Sequence, residues 1–222
     1  MLVLASASPR RKDLMAVLGL EFQVMAAGVP EDQVPGEPAQ DMVMRLSLDK
    51  ASASAGRIKD GLVIGADSTV VLDGEVLGKP ADADDARHML HRLSGTQHQV
   101  MTGLSVVNAA TGDRQTDWMA SGIKLRDLSD AEIDASIRSG TPFDKAGAYA
   151  VQDQELCPAE WWRGCYSNIV GLPLCRLLEM LEALGHPLPD REKLRAPSGC
   201  TGECPFQMEK YLPDNQSREK QL

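Results

Sequence analysis

Apolar runs alternate with amphipathic, cap-flanked stretches over residues 2–185, and two hairpin signals break the alternation. This pattern limits the fold more than any other feature. Residues 2–5 and 62–66 are short and continuously apolar, as buried strands are, and 21–26 can form a further strand. Helical spacing of apolar residues covers 39–55, where Met42, Val43, Leu46 and Ala53 share one side, and returns at 83–93 and 172–184. Asp82 is a cap for the second of these, Ser129 with Glu132 is close to a capping box for a helix to about Ser139, and Gly95 and Gly185 are stops. Asp73-Gly74 is a tight-turn signal between 69–72 and 75–77, and Thr111-Gly-Asp separates strands at 100–107 and 118–125. Strand–helix alternation alone would give a parallel sheet. The hairpins add antiparallel pairs, so the expected class is α/β with a mixed sheet and flanking helices.

Apolar periodicity ends near His186. Residues 188–222 therefore read as a tail, mobile or partly ordered, behind a domain of residues 1–187. The 222-residue chain carries a net charge of −9, which argues against nonspecific binding to nucleic acid or to an anionic membrane surface. No apolar run approaches the roughly 20 residues that span a bilayer, and the start lacks a signal-peptide layout, so a cytoplasmic protein is expected. Five cysteines argue against a disulfide framework, and Cys200 and Cys204 lack the His/Cys partners of a zinc site.

The start of the chain carries the first chemical signal. Ser8 is a good N-cap and Pro9 a favoured first helical residue, yet Arg10, Arg11 and Lys12 fill the first turn. Cations oppose the positive end of a helix dipole, so the arrangement fits a docked anion as well as a solvated basic turn. Asp67 follows the apolar run 62–66 and is either a carboxylate poised at a strand end or an Asx-turn that ends the strand. Lys50 lies four residues after Leu46, on the inward side of its helix, as a phosphate ligand or a snorkelling stem. Lys79 is restricted to extended backbone by Pro80. Glu31 stands in a Gly/Pro-rich loop and by itself reads as solvated surface. Gln152 can offer a donor and an acceptor to a base edge, although its segment can equally be a turn into a strand. His98 is more simply a structural hydrogen-bonder than a base. No P-loop, nucleophile elbow or zinc-protease helix occurs.

Taken in order, the segments Leu4-Ala-Ser-Ala-Ser-Pro-Arg-Arg11, Arg45 through Lys50-Ala51, Gly65-Ala-Asp67-Ser and Leu77-Gly-Lys-Pro80 resemble the Maf family of nucleoside triphosphate pyrophosphatases. So do Leu93-Ser-Gly95 with His98, Val100 and Thr102-Gly103, then Asp144-Lys-Ala-Gly-Ala-Tyr149 and Tyr166-Ser-Asn-Ile-Val-Gly-Leu-Pro173. The resemblance implies an elongated mixed sheet with two lobes around a cleft, similar to inosine triphosphate pyrophosphatases. It also implies a cytoplasmic homodimer that cleaves a nucleoside triphosphate to monophosphate and pyrophosphate with Mg²⁺ or Mn²⁺. Mapped onto this chain, Asp67, Lys50, Lys79 and Glu31 would be catalytic, with Asp67 and Glu31 at the metal. Ser6, Ser8, Arg10, Arg11, Ser68 and Gln152 would bind substrate. The segment Tyr149-Ala-Val-Gln152 resembles the subgroup acting on dTTP and UTP. Two features depart from it: Ser68 replaces a threonine, and Asp153 replaces a glycine. The alternatives are a pyrophosphatase for modified purine or 7-methyl-GTP-type nucleotides, and a nucleotide-binding regulator of cell division with little turnover.

Overall fold

The longest strand sets the layout. In a computed structural model, which describes residues 1–188 and Cys200, β3 (Leu62–Leu72) runs antiparallel to β5 (Gln97–Asn108), with Asp67 opposite Gly103 and Ser68 opposite Thr102. Beyond β5 lie β6 (Arg114–Leu125) and then β7 (Ala159–Arg163) at one edge. The other edge of β3 is shared by two short strands. β1 (Leu2–Leu4) pairs in parallel with residues 62–64 and also carries β2 (Gln23–Val24). β4 (Glu75–Leu77) pairs antiparallel with residues 70–72. Between these two partners, residues 65–69 of β3 have no strand beside them on that edge among the described residues.

Alternation along β3 sends odd and even residues to opposite faces. Val63 packs with Ala51 and Ala55 of α2 (Ala39–Ala55), which covers the odd face. Val43 and Leu46 of α2 are essentially dry, each worth about 1.5–3 kcal/mol of burial. On the even face there are two apolar clusters. Leu62, Ile64 and Ala66 join α1 (Pro9–Val17), α5 (Tyr166–Val170) and α6 (Leu174–Ala183). Val70 and Leu72 join α3 (Ala83–Leu93) and α4 (Asp130–Ser139). Ser68 falls at the seam between the clusters, as does Thr102 on β5 between Val100 and Leu104. Their hydroxyls are 2.9 Å apart, and Thr102 donates to the Asn168 carbonyl at 3.1 Å.

The α/β class and the mixed sheet agree with the sequence; among the described residues the sheet has seven strands. Helix α2 has the expected limits, and α4 carries the full Ser129–Glu132 capping box. The expected end of β3 needs correction: the strand does not stop before Asp67 but continues through it to the Asp73-Gly74 turn. A carboxylate can stay within a buried strand here because a cation from α2 meets it. β7 and α5, unassigned from sequence, are five residues each. Helix α6 starts at Leu174 rather than 172, because Pro173 takes the N-cap position. The tail expected over 188–222, with Cys204, lies outside the described residues except for Leu188 and Cys200. Among the described residues, no helix is long and apolar enough to cross a membrane.

Candidate active site

The open stretch of β3 edge floors a cavity of about 700 Å³, within the roughly 300–1,000 Å³ usual for small-molecule sites. Ser6, Ser8, Arg10, Arg11, Glu31, Lys50, Asp67, Ser68, Lys79 and Gln152 all line it. Topology accounts for this gathering. Ser6 and Ser8 follow the end of β1, Lys79 follows the end of β4, and Asp67 and Ser68 lie on β3 between those two ends.

Asp67 projects to the α2 face. Its Oδ1 accepts a hydrogen bond from Lys50 Nζ at 2.6 Å, and both residues are more than nine-tenths buried. The same Nζ lies 2.6 Å from Glu31 Oε1, while Glu31 Oε2 accepts from Lys79 at 3.1 Å. Two carboxylates and two lysines thus alternate along one wall. Removing Lys50 would strand the buried Asp67 charge, whereas Lys50 itself has a second carboxylate partner in Glu31.

The Glu31 carboxyl has a shifted affinity for protons. Partial burial raises it, but hydrogen bonds and charge from Lys50, then Lys79, bring it from 4.5 down to about 2. A folded value below the unfolded one adds stability that is present above pH 4.5 and is lost as the pH falls from 4.5 toward 2. The side chain is 44% exposed, so water screens the pairs and the contribution is modest. Glu31→Gln is therefore expected to flatten the acid limb of the stability–pH curve, read from urea midpoints across that window. An unchanged acid limb would exclude Glu31 as its source.

Arg11 lies on the other face of β3. Its Nε donates to the Gly171 carbonyl at 2.8 Å, one Nη to Ser6 Oγ at 3.2 Å and the other to Ser68 Oγ at 2.9 Å. The guanidinium ties helix α1, the polar seam and the Gly171 turn together. One N–H on each Nη is left over for an anion. Ser8 does not cap α1 with its side chain; its own N–H bonds Ser6 Oγ at 3.3 Å. Arg10 reaches Asp144 at 3.3 Å, and Lys145 pairs with the same carboxylate.

Lys145 and Thr102 belong to segments that carry the family resemblance, but the sequence assigned neither a site role. Lys145 lies in a segment of 3₁₀ turns without periodicity, whereas Thr102 could have been found from its register with Ser68. His98 is buried, and this lowers its proton affinity to about 4 despite a bond to the Thr96 carbonyl. Because that carbonyl can only accept, Nδ1 donates at 3.4 Å and Nε2 accepts from the Tyr149 hydroxyl at 2.6 Å. This is the structural reading of His98. Tyr149 in turn forms cavity wall just before Gln152, whose side chain is exposed at the rim.

Among the described residues, no group of three or more His, Cys, Asp or Glu side chains is placed to hold a metal ion by itself. A hard divalent cation such as Mg²⁺ needs only one or two carboxylates when substrate phosphates complete its shell. Asp67 and Glu31, converging on one lysine nitrogen, fit that donor set.

A family model described as "Maf-like protein" matches residues 1–184. Proteins named dTTP/UTP pyrophosphatase are similar to this chain. The one from Geobacter metallireducens is 46% identical over 184 residues, covering 83% of this chain and 96% of the relative. That from Pelotomaculum thermopropionicum is 47% identical over 185 residues, covering 83% and 97%. That from Anaeromyxobacter dehalogenans is 48% identical over 190 residues, covering 85% and 96%. A solved structure of the Staphylococcus aureus Ham1 protein overlaps 56% of this chain and 71% of that one, at a TM-score of 0.38 and 17% identity. That likeness is too partial to bear on the fold.

Proposed function

The chain belongs to the Maf-like protein family, and from that premise we propose that it hydrolyses dTTP and UTP to the monophosphate and pyrophosphate. The observation that carries the reading is the alternating row Asp67–Lys50–Glu31–Lys79 in a cavity that also receives Arg10 and Arg11. Residues 1–187 form the catalytic unit in this reading, with 188–222 appended. The cytoplasmic setting and the homodimer that the family resemblance implies go with it.

A triphosphate brings three to four negative charges that need neutralising. Arg10, Arg11, Lys50 and Lys79 supply opposite charge on several sides, the arginines as forks and the lysines as point charges. Ser6 and Ser8 add short donors beside the Arg11 fork, while the Ser68 hydroxyl accepts from that fork and donates to Thr102. Lys50 holds Asp67 by one oxygen, so the other can take the proton of the attacking water. Water adds at the α-phosphorus and pyrophosphate leaves. Asp67 and Glu31 would hold Mg²⁺ or Mn²⁺, which when bound neutralises phosphate charge and acidifies coordinated water. Gln152 at the rim reads the pyrimidine edge.

The test is pyrophosphate release by the purified full chain over dTTP, UTP, CTP, dGTP and 7-methyl-GTP, with and without Mg²⁺. The expected result is a metal-dependent preference for dTTP and UTP. Gln152→Ala should lower kcat/KM for UTP about tenfold, the scale of a lost hydrogen bond, and leave dGTP unchanged. A preference for the purine nucleotides would overturn the pyrimidine reading. Tight nucleotide binding without any pyrophosphate release would overturn the enzyme reading in favour of a regulator.

A further inference from the structure

Glu31 sits in a loop with little of its own to hold it. Residues 28–38 join β2 to α2 without regular structure, every side chain from Pro30 to Gly36 is exposed, and Val34 is 52% exposed. Among the described residues, residues 30–36 bring no buried apolar side chain, so polar contacts hold this part of the loop. Glu31 itself meets Lys50 and Lys79. The second hold is Arg45, one and a half turns before Lys50 on α2. Its Nε and one Nη clamp the two Glu37 oxygens at 2.7 and 2.6 Å, and the same Nη donates to the Asp32 carbonyl at 3.1 Å. A turn brings Glu37 back within reach: Glu37 N–H bonds the Val34 carbonyl at 3.0 Å, with Gly36 at φ +78°. One guanidinium therefore grips the loop on the far side of Glu31 and beside it.

We propose that Arg45 is a positioning residue, which sets the Glu31 carboxylate between Lys50 and Lys79 by clamping residues 32 and 37 to α2. The inference rests on the reading of Glu31 as part of the phosphoryl-transfer site. Planar fork geometry is essential, because single exposed ion pairs hold little and a bidentate pair restricts direction as well as distance. A lysine at this position could not span both Glu37 oxygens and the Asp32 carbonyl.

The test compares Glu31→Gln, Arg45→Gln, Arg45→Lys, Glu37→Gln and the double variant Glu31→Gln/Arg45→Gln in the full chain. Each is assayed for kcat and KM on UTP below its own melting temperature. Arg45→Gln, Arg45→Lys and Glu37→Gln are each expected to lower kcat about tenfold, with KM within about twofold. In the Glu31→Gln background, adding Arg45→Gln should cost nothing further, since a positioning residue has no carboxylate left to position. Losses that multiply in the double variant, or a raised KM at constant kcat, would overturn the role given to Arg45 while leaving Glu31 in the site. Normal turnover of Glu31→Gln alone would overturn the reading of Glu31, and the Arg45 inference with it.

Discussion

Asp67→Asn is expected to lower kcat by about 10²–10⁴-fold, the scale for loss of a general base, while the protein stays folded and still binds nucleotide. The substitution keeps size and shape in a strand position that is 8% exposed. An amide oxygen can still accept from Lys50 Nζ. Lys50 is not left as an unpaired buried charge, because Glu31 lies 2.6 Å from the same nitrogen. The usual heavy cost of breaking a buried pair is therefore largely avoided, in contrast to a change that leaves the partner alone. Ground-state binding should hold or tighten, since one negative charge leaves the surroundings of a polyanion. The signature is a collapsed kcat with unchanged or lower KM for UTP, the pattern of an interaction made only in the transition state. Near-normal kcat would remove Asp67 as the base. A raised KM with kcat intact would make it a binding residue.

That pairing was only half legible in the sequence. Helix α2 announces itself through periodic apolar residues, and Lys50 falls on its buried side by counting turns from Leu46. Nothing local says that Asp67 would be its partner. The contact depends on where α2 lies over the sheet, which is a matter of tertiary packing. Arg11 teaches the same lesson from the other side. Its place in the first turn left a docked anion and a solvated basic turn both open, and a long-range feature, the Gly171 carbonyl, takes its Nε. The two small elements β7 and α5 went unassigned for a different reason. Five residues do not complete enough of a period to be told from loop. By contrast, the Asp73-Gly74 and Thr111-Gly-Asp turns are written in local backbone preference, with Asp73, Gly74 and Gly112 at positive φ. The mixed sheet could therefore be read without coordinates.

The approach of α2 to the sheet gives the largest expected effect on stability, Gly103→Ala. Gly103 lies opposite Asp67 on β5, and a Cβ built there would stand 2.0 Å from the Val43 carbonyl oxygen and 2.7 Å from Met44 N. On β3, a Cβ at Gly65 would stand 2.1 Å from the Ser47 carbonyl oxygen. The obstacles are helix backbone atoms, which cannot swing aside as a side-chain end can. Helix α2 rests on two bare patches of adjacent strands, and the absent methyl groups let it come down far enough for Lys50 to reach Asp67. Overpacking costs typically about 1–3 kcal/mol and sometimes more, and rigid backbone on both sides puts Gly103→Ala at about 3 kcal/mol or above. At roughly 2–4 °C per kcal/mol for a domain of this size, the melting temperature should fall by about 6–12 °C. Gly122→Ala on β6 is the matched control, because a Cβ there meets nothing within 4 Å; its melting temperature should stay level or rise slightly. Activity provides the second reading. Relieving the clash requires α2 to lift by about an ångström, on the scale at which misplacement costs about 10²-fold in rate. Gly103→Ala should therefore lose turnover even at temperatures where it remains folded, while Gly122→Ala keeps it. Equal melting temperatures for the two variants would mean that the helix does not lie on the sheet as closely as this, and the Lys50–Asp67 contact would lose its structural basis.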